Sequence, residues 1–343
     1  MLNPDQTIAI LFDDQLGELN GKMGHGVLRY SPNPLTCVID SRYDGKRLHD
    51  IVDFGDDCPV VGNVEAAANL GARVLILGMA PSGGRLPTHL KSEVDTAVAN
   101  GMCVINGLHE LMAQNYPELK PGQWVWDIRI EPAGINIARA RAAALDNKRV
   151  VIVGTDMAIG KMTVGLEIWK LARERGIKSD FLATGQIGIT IAGKGIPLDA
   201  IRVDYACGAV EQMVLDAADN DLVVIEGQGS LVHPGSTSNL PLIRGSCPTH
   251  FILCHRADAD KLWAEDGDVA IPPLDQLIEL YEDLSSVCGS YKRAKTVGVA
   301  LNTYGMSEEQ AQEHIELTKQ ITGLPVTDAV RYGADELLDA IMT

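Results

Sequence analysis

The residues with the clearest chemical potential run from Arg149 to Gly165, reading R-V-V-I-V-G-T-D-M-A-I-G-K-M-T-V-G. The apolar run Val150 to Val153 reads as a buried strand that stops at Gly154, and Gly160 is followed at once by Lys161. That is the outline of a phosphate loop. Small residues let successive backbone NH groups turn inward, a helix N-terminus aims its partial positive charge the same way, and a lysine reaches the outer oxygens. Two departures matter. Five residues (Thr155, Asp156, Met157, Ala158, Ile159) separate the glycines, one more than the usual pattern holds, and Met162 stands where that pattern has a magnesium-binding Ser or Thr. A hydroxyl comes one residue later, at Thr163, about 100 degrees further round a helix. The spacing points to phosphate binding by Gly154, Thr155, Asp156, Gly160, Lys161, Met162 and Thr163, and speaks against magnesium-dependent hydrolysis. A strand-to-helix turn that binds nothing is the plainer alternative.

Other candidates lie at the ends of later strands. Val223-Val224-Ile225 leads into Glu226, an acid placed to hold magnesium through water, to act as a general base, or simply to pair with Lys161. The stretch Ala183 to Ile189, with Thr184-Gly185-Gln186, reads as an open polar loop suited to a small ligand, or as a plain turn. Asp204 precedes a helix and is either a catalytic acid or a cap. The long polar loop from Gln228 through Ser230 and His233 to Arg244 suggests a lid or pocket; His233 can accept a proton and Arg244 can clamp a carboxylate. Asn302 ends a strand, where its amide can read an adenine edge or cap the next turn.

These residues need elements to hold them. In the N-terminal part, strands are expected at Ile8–Phe12, Thr36–Asp40, Arg73–Leu77 and Met102–Asn106, with helices at 63–70 and 87–100, and a turn over the glycine-rich stretch Gly21 to Gly26. No G-x-G-x-x-G follows any of these strands, which disfavours a dinucleotide. Residues 116–132 read as a packed connection between domains, and Gly134–Leu145 as a helix with Arg139 and Arg141 in surface or interdomain pairs. Beyond it, strands at 150–153, 180–183, 222–226, 250–254 and 297–302 alternate with helical stretches. The fold class is therefore α/β: a Rossmann-like domain over 1–132, then a parallel, doubly wound phosphate-loop domain over 133–343.

Composition limits the partners. At 343 residues the chain exceeds one ordinary core, and with 46% hydrophobic and 22% charged residues both domains are expected to be globular. A net charge of −17 repels nucleic acid and anionic lipid, so an anionic ligand must be held by a local site. The seven cysteines are odd in number and scattered, reading as reduced core residues of a cytoplasmic protein. No signal peptide or membrane span is read from the sequence, and Cys254-His255 lacks partners at ligand spacing, so no metal centre is expected.

Taken together, G-T-D-M-A-I-G-K-M-T, V-I-E-G-Q-G-S and the strand ending at Asn302 resemble the dethiobiotin synthetase branch of phosphate-loop proteins. A closer resemblance spans the whole chain. The two domains, with G-T-D-x-A-x-G-K-M-T, T-G-Q-x-G-I and I-E-G-Q-G-S-L-x-H-P, are similar to a bacterial family of undefined function in which some members are D-glutamate N-acetyltransferases. The resemblance implies acetyl-CoA as co-substrate, its phosphates on the loop, and D-glutamate or a related amino acid as acceptor. It also implies a base among Glu226, Asp204 and His233, substrate contacts from Gln186, Gln228, Ser230 and Arg244, with Arg202 and Lys194 as further carboxylate partners, and a homo-oligomer. The alternatives are an ATP- and magnesium-dependent ligase or kinase acting on a small carboxylic acid, and a nucleotide- or CoA-binding protein without turnover.

Overall fold

The computed structural model describes residues 2–262 and 268–343, which fall into two compact units. One unit is the chain up to Glu131 together with Gln186–Ala200, and the other is Pro132–Gly185 with Ile201–Thr343. The linear division expected at 132/133 is thus crossed by one later segment. Among the described residues no helix is long and apolar enough to cross a membrane.

The first unit is built on six parallel strands, β1 (Ile8–Leu11), β2 (Leu35–Ile39), β3 (Val60–Val61), β4 (Val74–Leu77), β5 (Cys103–Asn106) and β6 (Val125–Asp127). Their order is β3-β2-β1-β4-β5-β6, the Rossmann arrangement. Successive residues of β1 point to opposite faces, and every one is buried, so both faces of the sheet are covered. Ala9 and Leu11 join Val64, Ala67, Val94 and Ala97 in one apolar cluster. The last four belong to helices α2 (Val64–Asn69) and α3 (Lys91–Ala99). As expected, Asn63 caps α2, its Oδ1 accepting from the Ala66 NH at 2.9 Å.

Two expectations fail in this unit for physical reasons. Gly21 to Gly26 is not a turn: helix α1 spans Lys22–Tyr30. A Cβ on Gly24 would overlap the Phe12 ring, and the Gly24 NH donates to the Gly78 carbonyl at 2.7 Å. These glycines serve close packing of α1 on the sheet rather than chain reversal. The supposed connection over 116–132 contains β6, whose Asp127 is buried and accepts from the Asn106 amide (2.7 Å) and the NH groups of Met112 and Ala113 (both 2.9 Å). A three-residue strand ending in a buried acid has no apolar run to announce it.

The second unit carries β7 (Lys148–Gly154), α4 (Lys161–Glu174), β8 (Ser179–Leu182), α6 (Val203–Asp216), β9 (Leu222–Ile225), α7 (Asn239–Ser246), β10 (His250–Arg256), α8 (Leu274–Ser286), β11 (Lys295–Asn302), α9 (Glu308–Thr322), β12 (Val326–Thr327) and α10 (Asp335–Met342). Helix α5 (Gln186–Ala192) follows β8 in the chain but packs against α1 in the first unit. All six strands are parallel, in the order β12-β11-β10-β7-β9-β8, which gives β7 a strand on each side. Its Val150 to Val153 run is buried, as a strand covered on both faces requires. Gly176 closes α4 at φ 73, in the left-handed region where glycine is favoured.

The expected helix over 134–145 is reduced to a single tight turn at Arg141–Ala144. The buried Glu211 carboxylate of α6 explains why. Its oxygens accept from the backbone NH of Arg139 (3.0 Å), the backbone NH of Arg141 (2.7 Å) and Arg141 Nε (2.9 Å). Donors that a helix would turn along its axis are committed to a side chain. A Cβ at Gly208 would overlap the Asn136 carbonyl, so the segment lies directly against α6. The cysteines are all free; Cys37, Cys58, Cys103 and Cys254 are buried, whereas Cys288 is exposed and is not a core residue.

Candidate functional site

The phosphate loop leaves β7 at Gly154 and enters α4 at Lys161, held on several sides. The Tyr281 hydroxyl donates to the Gly154 carbonyl at 3.0 Å, and the Thr155 NH donates to the Cys254 carbonyl at 3.1 Å. Thr155 Oγ1 lies 3.0 Å from His255 Nδ1. Burial pushes that imidazole down to about 4, so at neutral pH it is an uncharged partner for the hydroxyl. Asn302 donates from Nδ2 to the Ile159 carbonyl at 3.3 Å and accepts the Tyr304 NH at Oδ1 at 3.0 Å. It thus braces the loop and caps the next turn.

Within the loop the backbone bends back at Ala158 (φ 54) and Gly160 (φ 107), the left-handed steps that turn NH groups inward. The first helical bond runs from the Val164 NH to the Gly160 carbonyl, so the NH groups of 161 to 163 belong to the open first turn of α4. Lys161 is buried and folds over the loop, Nζ donating to the Asp156 carbonyl at 2.6 Å. That uses one of three ammonium protons. Burial, partly offset by the negative groups around it, pushes this lysine down to about 8. A Cβ on Gly154 would stand 2.9 Å from Ile159 and 3.2 Å from Lys161 Cδ, and one on Gly227 would overlap the Ile152 carbonyl. The close fit that excludes a side chain at both glycines seats the lysine stem between them. Open NH groups, a helix N-terminus and a desolvated ammonium together fit a phosphate.

Glu226 follows β9 directly and is buried. One carboxylate oxygen accepts from the NH groups of Thr184 (2.7 Å) and Gly185 (3.0 Å), and Thr184 Oγ1 donates to the Glu226 carbonyl at 2.9 Å. Burial raises its carboxyl to about 7 against the pull of those NH groups, Lys161 and the Gln228 side chain. Among the described residues no ion pair joins Glu226 to Lys161; the two interact through space, each with its own hydrogen-bond partner. The structure therefore corrects the expected open loop after β8. Thr184-Gly185 grips Glu226, and Gln186 begins helix α5, lining a cavity of the first unit instead.

The long loop after Glu226 is compact. Ser230 is buried, its NH donating to Ser236 Oγ (3.0 Å) and its hydroxyl accepting the Val232 NH (3.1 Å). The Asn239 amide donates to the Gln228 carbonyl at 3.2 Å, and the Leu231 NH donates to the Tyr281 hydroxyl at 3.2 Å. His233 takes the Gly235 NH on Nδ1 at 3.0 Å, a local turn contact. Gly154 to Thr163, Glu226, Gln228, Ser230 and Asn302 are thereby gathered at the carboxyl edge of the sheet.

Other candidates stand elsewhere. Asp204 is exposed in the first turn of α6. Arg244 is not brought to the loop: its guanidinium donates to the Leu284 carbonyl at 2.8 Å and lies over the Tyr291 ring, beside Arg149 at the opposite end of β7 from Gly154. The helix it sits on ends there, so its reach is spent on the carboxyl end of α8. Arg202 lies over the Tyr205 ring, and Lys194 is exposed in the first unit. Sequence reasoning missed Tyr281, Asn239, His255 and the Thr184-Gly185 grip. Tyr281 shares an apolar helix stripe with Leu274 and Leu277, and nothing local marks its hydroxyl as the brace of a distant loop.

Known proteins share this fold. Residues 41–131 match a family model described as the DUF1611_N Rossmann-like domain, and residues 136–338 match the DUF1611_C P-loop domain, both described as domains of unknown function. A protein of Tritonibacter scottomollicae named D-glutamate N-acetyltransferase is 34% identical over 284 residues, 81% of this chain and 84% of its own length. One of the same name from Pseudoalteromonas sp is 34% identical over 278 residues, 79% of this chain and 82% of its own length. The crystal structure of a DUF1611 family protein from Anabaena variabilis superposes with a TM-score of 0.93 at 47% identity, covering 98% of this chain and 99% of that one. With both domain matches in chain order and the whole fold in common, the chain belongs to the DUF1611 family, a Rossmann-like domain joined to a P-loop domain.

Proposed function

We propose that this protein transfers the acetyl group of acetyl-CoA to the amino group of D-glutamate. The observation that carries the reading is a phosphate loop that keeps its glycines and buried Lys161 but has Met162 in the place of a magnesium-binding hydroxyl. Such a loop suits phosphates that are held and not cleaved, as those of CoA are. The two named relatives supply the reaction class and the acceptor.

In this reaction the amine nitrogen attacks the thioester carbonyl; the new C–N bond forms, the C–S bond breaks, and CoA leaves as its thiol. The amine must first lose a proton. Glu226, raised to about 7, is the base we assign, because it is ionised just above neutrality while its burial keeps it basic. The glycine-rich turn Gly227 to Gly229 supplies backbone NH groups of the kind that stabilise a developing oxyanion.

The test is incubation with D-glutamate and acetyl-CoA, measuring free thiol and the N-acetylated product. Absence of thiol release with D-glutamate and related amino acids would overturn the proposal. Glu226 at the end of β9 also favours a second reading, an ATP-dependent ligase acting on a small carboxylic acid. Magnesium-dependent ADP formation without thiol release supports that one, and saturable CoA or nucleotide binding without product supports a binding protein.

A further inference from the structure

A second site lies in the first unit, where loops leave the carboxyl ends of β4 and β5. A cavity of about 320 Å³ opens there, at the lower end of the small-molecule range. In a chain of net charge −17 its ionisable lining among the described residues is Lys22, His109 and Arg129, the last ion-paired with Asp199. Lys22, which lines the cavity, is the first residue of α1, so a helix N-terminus lies beside it. Arg129 is one-tenth exposed; its Nε donates to the Gly107 carbonyl at 2.9 Å. Its Nη1 is buried and ion-paired with the Asp199 carboxylate. The neighbouring charge of Arg129 adds to burial in pushing His109 down, and the His109 ring occupies the place a side chain on Gly84 would take. Met23, Met79 and Leu108 supply an apolar wall.

Basic side chains, an apolar wall and small volume suit a short-chain carboxylic acid better than a nucleotide. We infer that the cavity of the first unit binds the carboxylate of an amino-acid-sized substrate, with Lys22 and the guanidinium of Arg129 as its anion contacts and Gln186 beside them. The inference rests on the acetyltransferase reading for the identity of that substrate, D-glutamate.

The experiment uses the full-length protein and its Lys22→Ala and Arg129→Lys variants, checked by thermal melting. Calorimetric titration with D-glutamate, glutarate and inorganic phosphate is combined with thiol-release kinetics. D-Glutamate and glutarate are expected to bind the wild type and to bind each variant about tenfold more weakly, the loss of one charge-assisted contact. The KM for D-glutamate rises in step, while that for acetyl-CoA does not move. Lys22 is exposed, so its variant reports on binding even if the Arg129 change unfolds the unit. Absence of D-glutamate and glutarate binding to the wild type overturns the inference, as does tighter binding of phosphate than of glutarate. Thiol release with an unchanged D-glutamate KM in Lys22→Ala and a folded Arg129→Lys overturns it while leaving the acetyltransferase reading intact. Binding lost in the variants without any thiol release supports the cavity and sinks the reaction.

Discussion

The Tyr281 hydroxyl donates to the Gly154 carbonyl at 3.0 Å, tying the middle of α8 to the first residue of the phosphate loop. The same oxygen takes the Leu231 NH at 3.2 Å, with Asn239 Oδ1 also 3.2 Å away. Burial pushes the phenol up to about 12, so it remains a donor at any working pH. Tyr281→Phe keeps the packing and strands these polar partners in a dry site. A cost of about 1–3 kcal/mol is expected, lowering the melting temperature by about 2–4 °C per kcal/mol for a domain of this size. The KM for acetyl-CoA should rise with it, and a melt paired with kinetics checks both.

Glu226→Gln keeps the shape of the side chain and removes its negative charge. Thiol release should fall by about a hundred- to ten-thousand-fold, the range for a lost general base. In the wild type, kcat/KM should climb as pH rises through about 7, where the carboxyl ionises, and a flat profile would remove Glu226 from that role. Folding gives an independent reading. The folded carboxyl holds its proton above the ordinary carboxyl value, so its stabilising contribution is complete at low pH and is lost as pH rises from about 4.5 through about 7. Melting curves should show this slope in the wild type and lose it in Glu226→Gln.

Lys161 titrates in the opposite sense. Burial lowers it to about 8, so the empty loop sheds its proton above that pH, and the affinity for CoA should weaken as pH rises past 8. For folding, the unfolded chain holds the proton up to about 10.5, so this group makes the fold more stable as pH climbs between the two values. Lys161→Ala should abolish the pH dependence of CoA binding and raise the KM for acetyl-CoA. An unchanged KM excludes this lysine from phosphate binding.

Chelation distinguishes the phosphate-binding loop from a hydrolytic one. Met162 offers no hard oxygen ligand, and one Glu226 oxygen is already committed to the Thr184 and Gly185 NH groups. Thiol release should be unchanged after treatment with EDTA and unchanged on adding magnesium. A rate that collapses on chelation and recovers with magnesium contradicts this.

Glu211→Ala tests a structural acid away from the loop. Burial draws its carboxyl upward, but the donors of Arg141 and Arg139 outweigh it and hold the group below its ordinary value. Its contribution is therefore present above about pH 4.5 and lost as pH falls. Removing the carboxylate leaves two backbone NH groups unpaired, at about 1–3 kcal/mol each. Melting should drop while the KM for acetyl-CoA holds.

The sequence by itself determined what is contiguous. Val150 to Val153, the glycines at 154 and 160, Lys161 and the displaced hydroxyl at Thr163 are neighbours in the chain, so strand, loop and helix follow from local geometry and read as a phosphate loop before any fold is known. Glu226 was legible for the same reason, as an acid ending an apolar run. Tertiary structure alone decided what those residues touch. Tyr281 reaches Gly154 across more than a hundred positions, Glu211 overrides a helical pattern at 139–141 by claiming its NH groups, and Thr184-Gly185 closes on a carboxylate where a free loop was expected. Arg244 looked like a clamp until α8 supplied carbonyls to hold it, and Arg129 showed no motif until a cavity formed beside it. Periodicity reports which face of an element is apolar. It carries no record of which distant donor meets which acceptor, because burial and pairing exist only once the strands are laid side by side.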